Sequence, residues 1–481
     1  MPLRTVEQYK ASLQDGRSVY FGGEKVPDVT KHPVIGIAVE HACLDYSLAD
    51  DPSHRDLAVF TDPATGEGYS RFFRLPQTSE DLLLRSRLIA ETTRQGKTLV
   101  TLIKEIGTDC LFALHMIADH MDKHIGTNYL GRVRDFYRYC RDNDLAMAVA
   151  QTDVKGDRSL GPAGQEHPDY YVRIVEERAD GIVVRGAKAH TSVTPNSNEL
   201  FVIPTRQLSA EDSAYAVAFV IPTNTPGVKM VCSSYDDSVP NSFDRPITSE
   251  HRMMETLTIF DDVFVPNERI FLKGEWQYAG PMARAFVEFH RFTAISYKLP
   301  LVDLLCGAAH LIAEFNGIDR AGHVRDKLSW LISYAETLQA MTRIAAIECT
   351  MEEPGIAVPS TKLVNIAKLH FADNYHRALS HVQDLTGGLL VTAPGHADLE
   401  NPATGGHIEH YLGGKKGVSA RDRLRAINLI SDLTTASFGG YQAVLAIHAE
   451  GSIEAEKITI LREYDAVSAK AFARWAAGIE Q

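Results

Sequence analysis

The chain has 481 residues, of which 44% are hydrophobic and 23% charged. This is the composition of a globular protein with a large core, and it excludes a disordered chain, a collagen-like fibre and a small disulfide scaffold. Its 49 Lys and Arg against 62 Asp and Glu leave a formal charge of -13, which disfavours nucleic acid as a partner. Met1 to Glu7 carry no signal-peptide pattern, and no uncharged apolar run of about 18 residues is present, so a cytoplasmic protein with no membrane association is the expectation.

In chain order, apolar residues over 79–142 recur at spacings of three and four: Leu82, Leu83, Leu84, Leu88 and Ile89, then Leu99, Leu102 and Ile103, then Leu111, Leu114, Met116 and Ile117. That period predicts successive helices. Between residues 146 and 271 the texture changes to short β-branched runs at 171–175, 181–184, 200–203, 216–221 and 256–260, with turn signals at Asp180-Gly181, Pro226-Gly227 and Pro266-Asn267. Five such runs predict a compact antiparallel β domain. Helical periodicity returns after Tyr278 in segments 301–315, 323–350, 360–385 and 419–437, interrupted by a Gly-, Pro- and His-rich stretch at 394–417 that reads as a long loop. Separate blocks of helices, strands and helices predict an α+β architecture rather than alternating βαβ units. The expected units are an N-terminal helical domain (1–145), a middle antiparallel β domain (146–275) and a C-terminal helical bundle (276–481).

Single motifs say little about chemistry. His115, His120 and His124 have helical spacing, but the glutamate of an HExxH zinc site is missing, so a solvated helix face is expected and no metal. Cys43, Cys110, Cys140, Cys232, Cys306 and Cys349 form no CxxC pair and read as buried thiols. Thr386-Gly387-Gly388 and Phe438-Gly439-Gly440 lack the GxGxxG spacing and read as a helix cap or close helix crossing.

Three longer runs carry more. Thr152-Asp153-Val154-Lys155-Gly156-Asp157-Arg158, Asp180-Gly181-Ile182-Val183-Val184-Arg185-Gly186-Ala187-Lys188-Ala189-His190 and Ile259-Phe260-Asp261-Asp262-Val263-Phe264-Val265-Pro266-Asn267-Glu268-Arg269 closely resemble the 4-hydroxyphenylacetate 3-monooxygenase and 4-hydroxybutyryl-CoA dehydratase family. Glu7-Gln8-Tyr9, Gly22-Gly23-Glu24-Lys25-Val26 and Thr386-Gly387-Gly388-Leu389-Leu390-Val391 resemble it too. The resemblance implies the acyl-CoA dehydrogenase fold with a C-terminal four-helix bundle, a homotetramer, and FAD lying between the β domain and the helices. It places flavin contacts on Val149, Ala150 and Gln151, on Lys155, Gly156, Asp157 and Arg158, on Ser192, and on His448, Ala449, Gly451 and Ser452. Lys155 and Arg158 would neutralise a pyrophosphate, and Gly156 would let the backbone approach it.

The departures from the family narrow the expectation. In the dehydratase branch three cysteines and a histidine hold a four-iron cluster; the corresponding residues here are Thr101, Glu105, Tyr297 and His290, and one imidazole cannot hold a cluster that needs thiolates. In the hydroxylase branch an arginine, a tyrosine and a histidine bind the phenol, and Lys97, Thr101 and Val149 stand in their places. The resemblance therefore implies His290, Tyr297, Lys97 and Thr101 as the catalytic set, with His290 as proton acceptor. Lys97 and Thr101 would share one helix face a turn apart, and His290 and Tyr297 another, two turns apart. Arg206, Arg291 and Lys298 are expected to bind substrate, Arg206 as a carboxylate fork. The expected activity is that of a two-component monooxygenase, an oxidoreductase that receives FADH2 from a separate NAD(P)H-dependent flavin reductase, reacts with O2 and hydroxylates a small aromatic or related electron-rich substrate. The alternatives are a cluster-free dehydratase or isomerase acting on an acyl-CoA, with His290, Lys298 or Glu255 as bases, and a non-catalytic flavin-binding subunit.

Overall fold

The computed structural model describes residues 3–479. The predicted N-terminal helices are Ser79–Gln95 (α1), Glu105–Ile125 (α2) and Tyr129–Asp142 (α3). Thr78 caps α1 by accepting from the Asp81 amide, and Glu80 and Asp81 place negative charge against the positive end of the helix. Between α1 and α2 the helical expectation fails: residues 96–104 are irregular, with positive φ at Lys97, Thr98 and Leu102.

The β region consists of two sheets. The strands are Val19–Phe21 (β1), Glu24–Val26 (β2), Met147–Ala150 (β3), Arg173–Glu177 (β4), Gly181–Ser192 (β5), Glu199–Val202 (β6), Val217–Pro222 (β7), Val228–Cys232 (β8), Glu255–Pro266 (β9) and Ile270–Lys273 (β10). One sheet has the order β2-β1-β8-β9-β5-β4, the other β10-β7-β6-β3. The five predicted strands are present, but the purely antiparallel expectation is corrected, because β1 pairs parallel with β8 and β3 parallel with β6. The strands missed by patterning are short. Met147–Ala150 is buried at every position, so it has no alternation to read. β1 and β2 carry the N-terminal segment into the middle sheet.

The C-terminal bundle is built on Ala279–Phe315 (α4), which packs against α1, α2, Gly322–Ile347 (α5) and Thr361–Thr386 (α6), with Ala420–Thr434 (α7) alongside. Among the described residues one stretch, Trp276–Phe315, is long and apolar enough to cross a membrane; 56% of its most apolar window is buried, as in a core helix. Residues 394–417, expected as a loop, contain the short helices His396–Glu400 and Gly405–Tyr411. Asp244 accepts from the His396 amide at 2.9 Å, and Leu399 packs with Phe243 and Leu424, tertiary contacts that local composition does not reveal. The chain ends in Ser437–His448 (α8), Ile453–Glu463 (α9), which lies on α6, and Ala466–Ala476 (α10), in which no residue is buried. All six cysteines are free; four are buried, and Cys306 and Cys349 are half-buried, short of the expectation.

Candidate active site

His290 and Tyr297 both lie on α4, seven residues apart as expected, and each meets a carboxylate from another element. His290 Nδ1 is 3.2 Å from Asp109 Oδ2 on α2, and its ring stacks on Phe286. Asp109 Oδ1 accepts from Arg85 Nη2 at 2.7 Å and from the Thr293 hydroxyl at 2.9 Å. The imidazole is thereby oriented by a buried carboxylate whose charge Arg85 balances, leaving its other ring nitrogen for proton transfer.

Tyr297 donates to Glu450, which also receives Lys298 Nζ at 2.9 Å and faces Lys368 Nζ at 3.9 Å. Burial alone would raise the Glu450 carboxyl; Lys298, Lys368 and His290 hold it at about 2 instead. The Tyr297 phenol is pushed upward by burial and by Glu450. Arg291, expected to bind substrate, instead donates from Nε to the Glu450 carbonyl at 2.9 Å and from Nη1 to Asn365 at 2.5 Å. Glu450 sits in the tight turn between α8 and α9 with φ +56, a conformation uncommon for a residue with a side chain. Gly451 follows with φ +110, and a Cβ there would lie 2.4 Å from Arg291 Nη2, so glycine is required at this position.

A second carboxylate, the partly buried Glu255 at the start of β9, accepts from Tyr441 OH at 2.5 Å and has Ser192 Oγ 2.9 Å from both its oxygens. Burial raises its pKa while these bonds and His190 lower it. Tyr297 feels the charge of Glu255 as well as that of Glu450, so the two carboxylate–phenol pairs form one electrostatic unit.

Lys97 and Thr101 do not share a helix face, since both stand in the irregular segment 96–104. Lys97 Nζ pairs with Glu250 at 2.5 Å and donates to the Pro246 carbonyl at 2.9 Å. It thus ties down the segment between β8 and β9 and does not bond to His290. Thr101 Oγ1 lies 2.7 Å from Asp45 Oδ1 and 2.9 Å from Glu105 Oε1. One hydroxyl proton cannot serve both carboxylates at once, so the arrangement favours a proton shared between the two acids. Arg85 links this cluster to the His290 side by donating to the Glu105 carbonyl at 3.0 Å.

Burial and mutual repulsion raise Asp45 well above its ordinary value, and burial raises Glu105. A carboxyl raised on folding contributes stability below its unfolded pKa, near 4, and loses it as pH climbs through the folded value. Asp45→Asn is therefore expected to flatten the fall in urea stability between pH 4 and 8. Equal pH slopes for wild type and Asp45→Asn would contradict the shared proton.

The expected flavin positions fall in three places. Val149 and Ala150 end β3 and are buried, and the Gln151 carbonyl accepts from Lys188 Nζ at 2.8 Å and Thr205 Oγ1 at 2.7 Å. Lys155 and Gly156 both have positive φ, and a Cβ on Gly156 would lie 2.4 Å from Gln165 Oε1. Asp157 bonds its own turn through Ser159, with Arg158 exposed beside it. Burial and then the neighbouring Arg158 and Arg206 lower Lys155; among the described residues none of these three cations has an ion-pair partner, while the nearby Asp153 is committed to Lys188. A cluster of cations with no ion pair of its own fits a dianionic group such as a pyrophosphate. Arg206 belongs to this cluster, with only a long 3.5 Å bond to the Leu160 carbonyl, and no bond joins it to the His290 network. Ser192 is engaged by Glu255. His448 and Ala449 close α8, and Ser452 caps α9. His115 is buried and bonds the Leu111 carbonyl at 2.7 Å, while His120 and His124 stack on each other; among the described residues no group of side chains could hold a metal.

Sequence reasoning missed Glu450, Asp109, Arg85, Asp45 and Tyr441. The one available signal was Glu450, an acid between the expected contacts Ala449 and Gly451.

A helical unit, two sheets and a helical bundle with buried acid–base pairs between them define an acyl-CoA dehydrogenase-like fold. Residues 5–272 match the 4-hydroxyphenylacetate 3-hydroxylase N-terminal family and residues 279–478 its C-terminal counterpart, and the chain belongs to this family. It is 32% identical to the 4-hydroxybutyryl-CoA dehydratase/vinylacetyl-CoA-Delta-isomerase of Clostridium aminobutyricum, over 99% of this chain and 100% of that one. It is 30% identical to the oxygenase component of 4-hydroxyphenylacetate 3-monooxygenase from Thermus thermophilus, over 91% of this chain and 90% of that one. A solved structure of such an oxygenase component complexed with FAD superposes with a TM-score of 0.90 at 29% identity, covering 98% of both chains.

Proposed function

We propose that the chain is the oxygenase component of a two-component flavin monooxygenase, taking FADH2 from a separate NAD(P)H-dependent reductase and hydroxylating a small aromatic or related electron-rich substrate. The observation that carries this reading is the fate of the positions expected to ligate iron: Thr101 and Glu105 are closed into a carboxyl cluster and Tyr297 is bonded to Glu450. No thiolate is available there for a cluster. FAD, when bound, would supply the reaction with oxygen. The cations Lys155 and Arg158 would hold its pyrophosphate. His290, oriented by Asp109, would accept the proton of a substrate hydroxyl, and Lys298, whose ammonium has protons beyond the one given to Glu450, would present a hydrogen-bond donor to it. The buried surroundings would exclude water.

The test is an anaerobic titration with FADH2 followed by an oxygen pulse. A transient absorbance before return to oxidised flavin supports the reading, and its absence overturns it. A second reading, a cluster-free dehydratase or isomerase acting on an acyl-CoA, is favoured by the whole-length similarity to the dehydratase and by Glu255, Lys298 and His290 as proton-transfer groups. Acyl-CoA binding without the oxygen transient would support it, and about four iron atoms per chain after anaerobic purification would contradict both readings.

The same proposal includes a homotetramer. On α9, α10 and the residues flanking them, Ile458, Leu461, Tyr464, Val467, Phe472, Trp475 and Ile479 are 57% to 77% exposed. They offer about 1,000 Å² per copy, enough for a standard-size interface between two copies. Removal of residues 465–481 is expected to halve the assembly mass in light scattering, and an unchanged mass would place the interface elsewhere.

A further inference from the structure

The second reading above uses Glu255 as a proton-transfer group and leaves unexplained what orients that carboxylate. Its surroundings come from four elements. Ser192 and His190 face it from β5, Tyr441 from α8, Tyr297 from α4, and Tyr235 from the segment 233–254 that joins β8 to β9. Of these, Tyr441 makes the shortest bond, 2.5 Å from OH to Glu255 Oε1. The Ser192 hydroxyl has one proton for two oxygens at equal distance, so it cannot choose the carboxylate's rotation by itself.

Tyr441 is itself held in place. Its ring stacks on Tyr235 with centroids 4.9 Å apart and planes 14° from parallel, and its OH lies 3.6 Å from Met253 Sδ. The segment carrying Tyr235 and Met253 is anchored between them, at residues 246–250. Asp432 on α7 accepts from the Ile247 and Thr248 amides at 2.8 and 3.0 Å, and Lys97 grips Glu250 and the Pro246 carbonyl. The phenol is thus fixed by aromatic packing that does not depend on its own hydroxyl.

We propose that Tyr441 is a positioning residue for Glu255: its phenol donates to one carboxylate oxygen and fixes that oxygen's orientation, resting on the reading of Glu255 as a proton-transfer group. A donor to the charged form of a buried acid stabilises that form, and its loss favours the protonated acid. The mechanism differs from a packing role because Tyr441→Phe keeps the ring against Tyr235 and removes only the donor.

The experiment is pH-difference infrared spectroscopy of the full chain without flavin, with the Glu255 carboxyl band assigned by its loss in Glu255→Gln. In Tyr441→Phe the Glu255 midpoint is expected to rise by about one to two pH units. Ser192→Ala is expected to shift it in the same direction by less. In Tyr235→Phe, whose OH reaches only the Met253 carbonyl at 3.5 Å, it is expected to stay. Should Tyr441→Phe fail to fold, 3-fluorotyrosine at position 441, a stronger donor, is expected to lower the midpoint. An unchanged midpoint in Tyr441→Phe or with 3-fluorotyrosine overturns the proposal. Wild type in the oxygen pulse separates the two ideas: no transient there defeats the monooxygenase reading and leaves the infrared result standing. A transient whose pH profile moves with the Glu255 midpoint supports the positioning role in catalysis. One that ignores a shifted midpoint overturns that role.

Discussion

Glu450→Gln is expected to lower stability by about 3–5 kcal/mol at neutral pH, because it leaves buried ammonium groups facing a neutral amide. Lys368 retains Glu456 at 2.5 Å, but Lys298 has Glu450 as its only carboxylate partner among the described residues. Burial already lowers the Lys298 pKa and Glu450 opposes that shift, so the variant's lysine should shed its proton. The pH dependence carries a definite sign. A carboxyl held at about 2 when folded contributes its stability above its unfolded value near 4.5 and loses it as pH falls towards 2. Wild type should therefore lose about 3 kcal/mol across that window from this one group, and Glu450→Gln should not. Urea midpoints between pH 2 and 8 check both statements. Adding Lys298→Met should restore part of the loss, since removing both charges relieves what removing one creates. A Glu450→Gln variant within 1 kcal/mol of wild type, with an unchanged acid slope, would mean that the charges are not coupled as the geometry indicates.

How much of this was legible in the sequence depends on the range of the interaction concerned. The helices α1, α2 and α3 and the strands β5 to β7 announce themselves because their apolar period repeats over many residues. Met147–Ala150 does not, being buried on both faces, and β1 and β2 are three residues each, too short to repeat. At the site, His290 and Tyr297 could be placed two turns apart on one helix from spacing alone. The acids that define their chemistry, Asp109 and Glu450, lie 181 and 153 residues away from them in sequence, and no local rule reaches across such gaps. Lys97 and Thr101 failed for a different reason: a four-residue spacing implies a shared face only inside a helix, and the backbone at Lys97 and Thr98 has left-handed φ values that no α-helix accommodates.

His290→Ala is expected to lower product formation by roughly 10²–10⁴-fold while leaving FAD affinity nearly unchanged, because the cations of the expected pyrophosphate site, Lys155 and Arg158, lie on a different element. The structure explains why this variant should fold. Asp109 keeps Arg85 at 2.7 Å and Thr293 at 2.9 Å after the imidazole is gone, so no buried carboxylate is left without a partner. Asp109→Ala is the contrasting case, since it strands the buried Arg85 and should cost stability as well as rate. The ratio of product to FADH2 consumed reports on His290 directly: without a proton acceptor for the substrate hydroxyl, reduced flavin should be spent on hydrogen peroxide instead. Asp109→Asn should fall between the two, keeping a side chain of the same shape but losing the charge that pairs with Arg85. Coupling unchanged in His290→Ala would remove the imidazole from proton transfer. It would transfer that role to the Glu255 carboxylate, the remaining candidate with a buried donor network of its own.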